Sequence, residues 1–366
     1  MSRLLHFPAP PSRFSSPAPA RSDSPGIGRA LHIIFTGQLR ERSRFDQSLH
    51  DLASLRAEGL LASIRLSTWL DEPIDDSLHA QLAALDVAVI QSPDVPHPGI
   101  GHIWRQMRSL AAALAAPTPI PNNAPVLKTR TDLRIQPAFI RGLATNPHYN
   151  QPAQPIWGKR VFAHKLWLPW FEITKPFYLA DECFFGLAAD IRRITHEDIA
   201  FYESLPSPGC GVTHQRRFVH PFRHAHPLVM AGYNLGNVMG LLSAERTDRL
   251  AALLADESYL DLLAAYYAIL RTHFVIGSER SPQPVEFREW SSGAATIDPL
   301  AFSANFRRER SWNPQMFGHI YAYDHRWLDN LASGKLNADP AARQVSRRMA
   351  EFAAVPAARP ALACAK

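Results

Sequence analysis

Residues 31–135 alternate between short apolar runs and segments of helical period, and this alternation leaves few architectures open. Leu31–Phe35 is an apolar run that ends at the turn pair Thr36-Gly37. Ser63–Thr68 and Val87–Gln91 repeat the pattern, the latter closed by Ser92-Pro93-Asp94, and Val126–Ile135 is a fourth run. Short apolar runs bounded by turn residues read as strands. Between them, Arg44–Gly59 carries Phe45, Leu49, Leu52 and Leu55 at helical spacing. Ile74–Leu85 and Ile103–Ala115 read as two further helices, the second stopped by four prolines between Pro117 and Pro125. A β-α-β-α-β-α-β order predicts a mainly parallel sheet flanked by helices on both faces. Such sheets bind ligands at the carboxyl ends of their strands, so the residues just after each strand are the candidates for chemistry.

Beyond this unit the pattern is looser. Val161–Trp167 and Lys175–Leu179 read as further strands, and Asp190–Leu205 and Ala244–Leu270 as mostly helical. Residues 1–29 hold six Pro and six Ser, with Arg3, Arg13, Arg21 and Arg29 against Asp23 alone, which predicts a basic, disordered lead. The expected organisation is one α/β domain over residues 30–338. Residues 30–135 would form its first half and 136–338 its second. Residues 339–366 would form a short helix around Ala342–Ala353 and a tail.

At 46% hydrophobic and 20% charged residues the 366-residue chain has a globular composition. Its net charge of +6 suits a polyanionic partner without choosing one. Three cysteines exclude a disulfide-built scaffold and a Cys-rich zinc module, and fit a reducing compartment. Neither a secretory leader nor an apolar run of roughly 20 residues is evident, so the expected location is the cytoplasm.

The fourth run is the richest in chemistry. In a strand, Lys128, Arg130 and Asp132 would share one face, and Thr129 and Thr131 the other. Charges at the end of a buried strand must be paired or bound. Two readings follow: an internal Arg130–Asp132 salt bridge, or a phosphate site where the cations meet a diphosphate and Asp132 holds a divalent metal. Downstream, Asp181-Glu182 is an acidic pair inside the aromatic stretch Phe177–Phe185. It either bonds nearby backbone or supplies a base whose pKa is raised by burial.

With these pieces the sequence resembles the WavE-type lipopolysaccharide-synthesis proteins, a family of bacterial glycosyltransferases. The resemblance covers about residues 31 to 190. It is carried by Lys128-x-Arg130-Thr131-Asp132, Ser67-Thr68-Trp69, Gly37-Gln38, the helix with Arg105-Gln106, and Asp181–Gly186. Gly101-His102-Ile103 stand where that family often has an Asn. The resemblance implies a GT-A-like, Rossmann-type fold with a helical C-terminal part. It implies transfer of a sugar from a nucleotide-sugar donor to a surface-polysaccharide or lipopolysaccharide acceptor, a glycan or glycolipid, with peripheral contact at the inner-membrane face. Gly37, Gln38, Arg40, Thr68, Arg105, Lys128 and Arg130 would bind the donor. Asp132 would hold Mn²⁺ or Mg²⁺. Asp181 and Glu182 would be catalytic, Asp181 as general base or acceptor-orienting carboxylate. GT-A enzymes commonly use Asp-x-Asp for the metal; this chain has Arg130-x-Asp132, and Arg130 could replace the metal.

Two other clusters carry weaker readings. Five histidines fall between His196 and His226, but Pro221 and Pro227 argue against a helical zinc pair there. Trp167, Trp170 and Phe171 could stack on a sugar, although such a run is more often core. The rival functions are a non-catalytic glycosyltransferase-like binder and a nucleic-acid binder. The second lacks any helix-turn-helix, zinc-finger or RNP signature, so no nucleic-acid partner is expected.

Overall fold

The computed structural model describes residues 30–40, 42–95, 102–173, 176–177, 179–203, 220–229, 256–277, 285–286, 321–322 and 325–354. The predicted lead over residues 1–29 lies outside them. In chain order the elements are β1 (Leu31–Thr36), α1 (Arg42–Ala57), β2 (Leu61–Trp69), α2 (Asp76–Ala84), β3 (Val87–Ser92), α3 (Ile103–Leu114) and β4 (Pro125–Arg130). There follow β5 (Arg134–Ile135), α4 (Pro137–Thr145), β6 (Leu166–Leu168), β7 (Phe171–Glu172), β8 (Phe184–Leu187) and α5 (Ala188–Glu203). The C-terminal part holds α6 (Glu257–His273), β9 (Phe274–Ile276), β10 (Val285–Glu286), β11 (Tyr321–Ala322), α7 (Arg326–Ala332) and α8 (Pro340–Ala354).

Seven strands form one sheet in the order β3-β2-β1-β4-β8-β6-β9. Strands β1 to β4 pair in parallel, β8 runs antiparallel to both β4 and β6, and β6 pairs in parallel with β9. This is the mainly parallel, helix-flanked α/β sheet that the sequence predicts. Alternation along the strands divides the core in two. Leu31, Ile33 and Phe35 of β1 join Leu127, Phe45, Leu49 and Leu52 on the face covered by α1 and α4. Ile34 and Val126 point the other way, onto Met107 and Leu110 of α3 and Ile191 and Ile194 of α5. Helix α6 is apolar nearly all round and is correspondingly buried, with Tyr266 and Tyr267 sealed among α7 and the aromatic residues of 171–177. Asp75 and Asp256 cap α2 and α6 by accepting from Leu78 N at 2.7 Å and Ser258 N at 2.8 Å.

Several boundaries differ from the sequence reading. The fourth run is not one strand: it breaks at Thr131-Asp132, where Leu133 N donates to Arg130 O at 3.3 Å, and Arg134–Ile135 pairs separately with β10. Asp132 therefore sits in a turn, not in the strand. Of Val161–Trp167 only the last two residues are in a strand, because Ala163 and His164 give their N–H groups to the Asp190 carboxylate instead of to a ladder. Lys175–Leu179 is not a strand in its described part: Phe177 has φ +69° and Leu179 makes a single bridge to Phe171. Helix α6 begins at Glu257 and runs to His273, and residues 244–255 lie outside the description. Trp167, Trp170 and Phe171 are all core, so none offers a face to a sugar.

Gly186, in the middle of β8, faces Leu166 so closely that an added Cβ would overlap Leu166 Cδ2. Gly186→Ala is expected to cost about 1–3 kcal/mol by overpacking, read as a lower urea midpoint. Because the methyl and the leucine compete for one space, Gly186→Ala with Leu166→Ala should lose less than the sum of the two single losses.

Candidate active site

Register places three strand ends side by side. Thr36 lies opposite Ser67 of β2 and Arg130 of β4. The chain leaves β1 through Gly37 at φ +112°, a conformation that a side chain would strain. The turns after β1 and β4 are laced together. Gly37 N donates to Ser67 O at 3.2 Å, Thr131 N to Thr36 O at 3.4 Å, and the Thr131 hydroxyl to the Gln38 carbonyl. Leu39 N is held by Glu72 Oε1 at 2.9 Å. Arg40 lies exposed over this turn, its Nε and Nη2 donating to Gln38 Oε1 at 2.9 and 2.5 Å.

On the next strand Arg130 and Asp132 form a two-pronged pair. Arg130 Nε donates to Asp132 Oδ1 at 2.8 Å and Nη2 to Asp132 Oδ2. The internal salt bridge, one of the two readings of this segment, is thus formed. The side chains remain 37% and 25% exposed.

Lys128 is different. It is 0% exposed, and its ammonium donates to the backbone carbonyls of Asp181 at 2.6 Å and Glu182 at 3.2 Å and to Gln106 Oε1 at 3.1 Å. An ammonium has three N–H groups, and these three acceptors match them. The antiparallel pairing of β8 with β4 makes this possible, because Lys128 opposite Phe184 brings residues 181–182 alongside the carboxyl end of β4. Lys128 therefore reads as a buried clamp between β4, α3 and the β8 approach, and not as an arm reaching for a phosphate.

The acidic pair stands at the same edge. Gln106 Nε2 donates to Asp181 Oδ2 at 3.4 Å, and Asp181 N donates to Glu182 Oε2 at 3.1 Å. Burial pushes the Glu182 carboxyl up to about 7, and the Asp181 charge adds to this, while Arg130 and Lys128 pull the other way. Neighbouring Cys183 is sealed in the core and burial pushes its thiol up to about 12, which leaves no thiolate for chemistry.

Two expected site residues stand apart. Arg105 Nε donates to Asp94 Oδ1 at 2.7 Å, Nη2 pairs with the other oxygen, and the guanidinium sits 5.6 Å from the Trp69 ring centroid. Its charge is already answered at the ends of β2 and β3. Ser67 faces α3, its hydroxyl donating to Ser109 O at 2.8 Å. Alternation therefore turns buried Thr68 to the opposite face, where its Oγ1 has no hydrogen-bond partner among the described residues. Gly37, Gln38, Arg40, Arg130 and Asp132 are gathered, and Asp181, Glu182 and Lys128 adjoin them. Gln106 was legible only as part of a family motif, since a lone Gln on a helix gives no signal of its own.

The residues do not compose a metal site. Both oxygens of Asp132 accept from Arg130, and among the described residues no group of three or more His, Cys, Asp or Glu side chains could hold a metal ion. Of the five histidines, His214 lies outside the description. His226 packs its ring 4.7 Å from that of Trp157, and His220 is buried.

No family model matches the chain, and no curated protein matches it. Among solved structures it is similar to glucosyl-3-phosphoglycerate synthase from Mycobacterium tuberculosis in complex with Mn²⁺, UDP and glucosyl-3-phosphoglycerate. That match has 14% identity and a TM-score of 0.31, over 54% of this chain and 67% of that one. A second structure of the same enzyme, in complex with phosphoglyceric acid, matches at 14% identity and a TM-score of 0.29, over 71% and 86%. Likeness at this level assigns neither family nor activity, and the resemblance to WavE-type proteins stays one of motifs.

Two outcomes test this geometry. Lys128→Met should cost about 3 kcal/mol or more, because it leaves three buried acceptors unmatched; a guanidinium melt measures it, and an unchanged midpoint would contradict the clamp. Glu182 binds its proton more tightly in the folded chain than at its free value of 4.5. Its contribution to stability is therefore complete below about 4.5 and is lost as pH rises through about 7. Glu182→Gln has no such loss. It should melt close to the wild type in mild acid and a few degrees above it near pH 8.

Proposed function

We propose that the chain is a glycosyltransferase that takes a nucleotide-sugar donor at the carboxyl edge of β1, β2 and β4. The observation that carries the reading is the meeting at that edge of two laced, arginine-bearing turns with a carboxyl held near neutrality. The donor side would be built by Gly37, Gln38 and Arg40 with Arg130 and Asp132, all in the 30–135 half. The acceptor, a surface-polysaccharide or lipopolysaccharide glycan, would approach from the 136–338 half, with the chain working in the cytoplasm or peripherally at a membrane. No described helix is long and apolar enough to cross a membrane.

In this reading the acceptor hydroxyl oxygen bonds to the anomeric carbon, and the bond from that carbon to the diphosphate oxygen breaks. The electron pair leaves with the diphosphate and the hydroxyl proton passes to a carboxylate. Glu182 suits the last role better than Asp181, because a base works best with a pKa near the working pH. Asp181, oriented by Gln106, would position the acceptor. Lys128 would hold both in place from beneath.

The test is transfer from a panel of nucleotide sugars to glycan acceptors. In the wild type kcat/KM should rise through about pH 7, as the base loses its proton, and then level off. Glu182→Gln should lower kcat by about 100- to 10,000-fold and flatten that limb. Asp181→Asn should raise KM for the acceptor more than it lowers kcat. Full activity of Glu182→Gln would sink the assignment. Donor binding without turnover in the wild type would favour the non-catalytic alternative.

A further inference from the structure

We infer that this site neutralises its donor's diphosphate with Arg130 and Arg40 and uses no divalent cation. The inference rests on the nucleotide-sugar reading above.

Three observations carry it. The first is the state of the one carboxylate in the metal position. Asp132 presents both oxygens to Arg130 in a fork-to-fork pair, the geometry in which Arg and carboxylate bind best. A cation arriving at Asp132 would have to break that pair and then sit beside a guanidinium.

The second is the sign of the charge two residues earlier. An Asp-x-Asp pair offers a metal two carboxylates, whereas here the first position is Arg130. The positive charge that a metal would bring is already supplied by the chain. A guanidinium also matches a phosphate's oxygens as well as it matches a carboxylate's.

The third is which cations remain available. Lys128 is excluded because its three N–H groups are answered inside the protein. Arg105 is held by Asp94 in the same two-pronged way as Arg130 by Asp132, but it is the more covered of the two, 23% against 37% exposed, and it stands apart at the ends of β2 and β3. Arg130 keeps Nη1 without a hydrogen-bond partner among the described residues, and more than a third of its side chain is exposed. Arg40 is exposed, and the partner it makes is the uncharged Gln38 amide, so its charge meets no carboxylate among the described residues. The Thr131–Gln38 bond ties the two turns that carry these arginines, so both are held at one edge. Asp132 then sets the direction of Arg130 and moderates its charge, as a carboxylate positioning a cation.

The experiment is calorimetry on the full chain with UDP, GDP, ADP and inorganic pyrophosphate, in metal-stripped buffer and again with excess Mn²⁺ or Mg²⁺. At least one nucleoside diphosphate should bind without metal, and adding metal should change its affinity by less than about 3-fold. Arg130→Ala should weaken it about 10- to 100-fold, the scale of charge-assisted hydrogen bonds. Arg130→Lys should fall between, since it keeps charge but loses the fork. Arg40→Ala should weaken it by a smaller factor. Asp132→Asn, which frees Arg130, should tighten binding. Thermal melts in the same buffers check that each variant is folded, and an unfolded Arg130→Ala passes the test to Arg130→Lys and Arg40→Ala.

Binding that needs metal would overturn this inference and leave the glycosyltransferase reading standing, and its loss in Asp132→Asn would place the ion on that carboxylate. Metal-free binding indifferent to Arg40 and Arg130 would overturn it as well. Absence of binding by every probe in both buffers would remove the nucleotide-sugar reading itself.

Discussion

A charged ammonium with no contact to water is the constraint around which the middle of this molecule is arranged. Burying Lys128 is tolerable only because three acceptors reach it, and they come from two distant places in the chain: a helix side chain at Gln106 and two successive backbone carbonyls at Asp181 and Glu182. Meeting that demand fixes α3 against β4 and fixes where the chain enters β8. The carbonyls must point inward to Lys128, so the side chains of the same two residues are set at the sheet edge. The acidic pair is thus placed by its own backbone, and the site inherits the rigidity of the core.

The same edge separates charges that support the fold from charges left for a ligand. Arg105 with Asp94, and Lys128 with its carbonyls, are closed arrangements. At the opposite edge of the sheet, buried Arg65 donates to the carbonyls of Ala113 and Thr118, and Arg192 to Ile120 O and Asn122 Oδ1, holding the proline-rich turn before β4. Arg40 meets no carboxylate among the described residues, and Arg130, though paired with Asp132, keeps more than a third of its side chain exposed. A basic chain need not be a polyanion binder over its whole surface, and here much of its arginine is used to tie off backbone.

The first four strands and the three helices between them were legible because period and punctuation agreed: each run is apolar, and Gly37, the Ser92-Pro93 pair or a proline cluster closes the element. The break after β4 was not legible. Asp132 is a turn residue, but β-branched Thr131 before it and the alternating Leu133 and Ile135 after it make the run read as unbroken; the chain turns there because Thr131 is bound to Thr36 and Gln38, which no local pattern reveals. The Arg130–Asp132 pair could be read as one of two options from its spacing. The direction of Lys128 could not, since its acceptors are backbone carbonyls 53 and 54 residues away that any sequence would supply. Thr68 failed for a simpler reason: a strand end offers alternate residues to opposite faces, and the motif could not say which face carries the site.

Strand β8 also bears on the order in which this molecule is made. Strands β1, β2 and β3 pair between residues about 31 and 23 apart (Ile33 with Ile64, Ile64 with Val87), so those contacts are close in sequence and can form early. The β1–β4 pairing joins residues 94 apart (Ile34 with Lys128), and the β4–β8 pairing joins residues 56 to 62 apart and reverses direction, so both form later. Until β8 docks, the Lys128 ammonium has no carbonyls to replace its water, and desolvating it would be strongly unfavourable. The exposed side of β4 is therefore kept hydrated by its own lysine during that interval, which discourages a second chain from pairing there. The clamp of the finished fold is, in the unfinished one, a gatekeeper against aggregation.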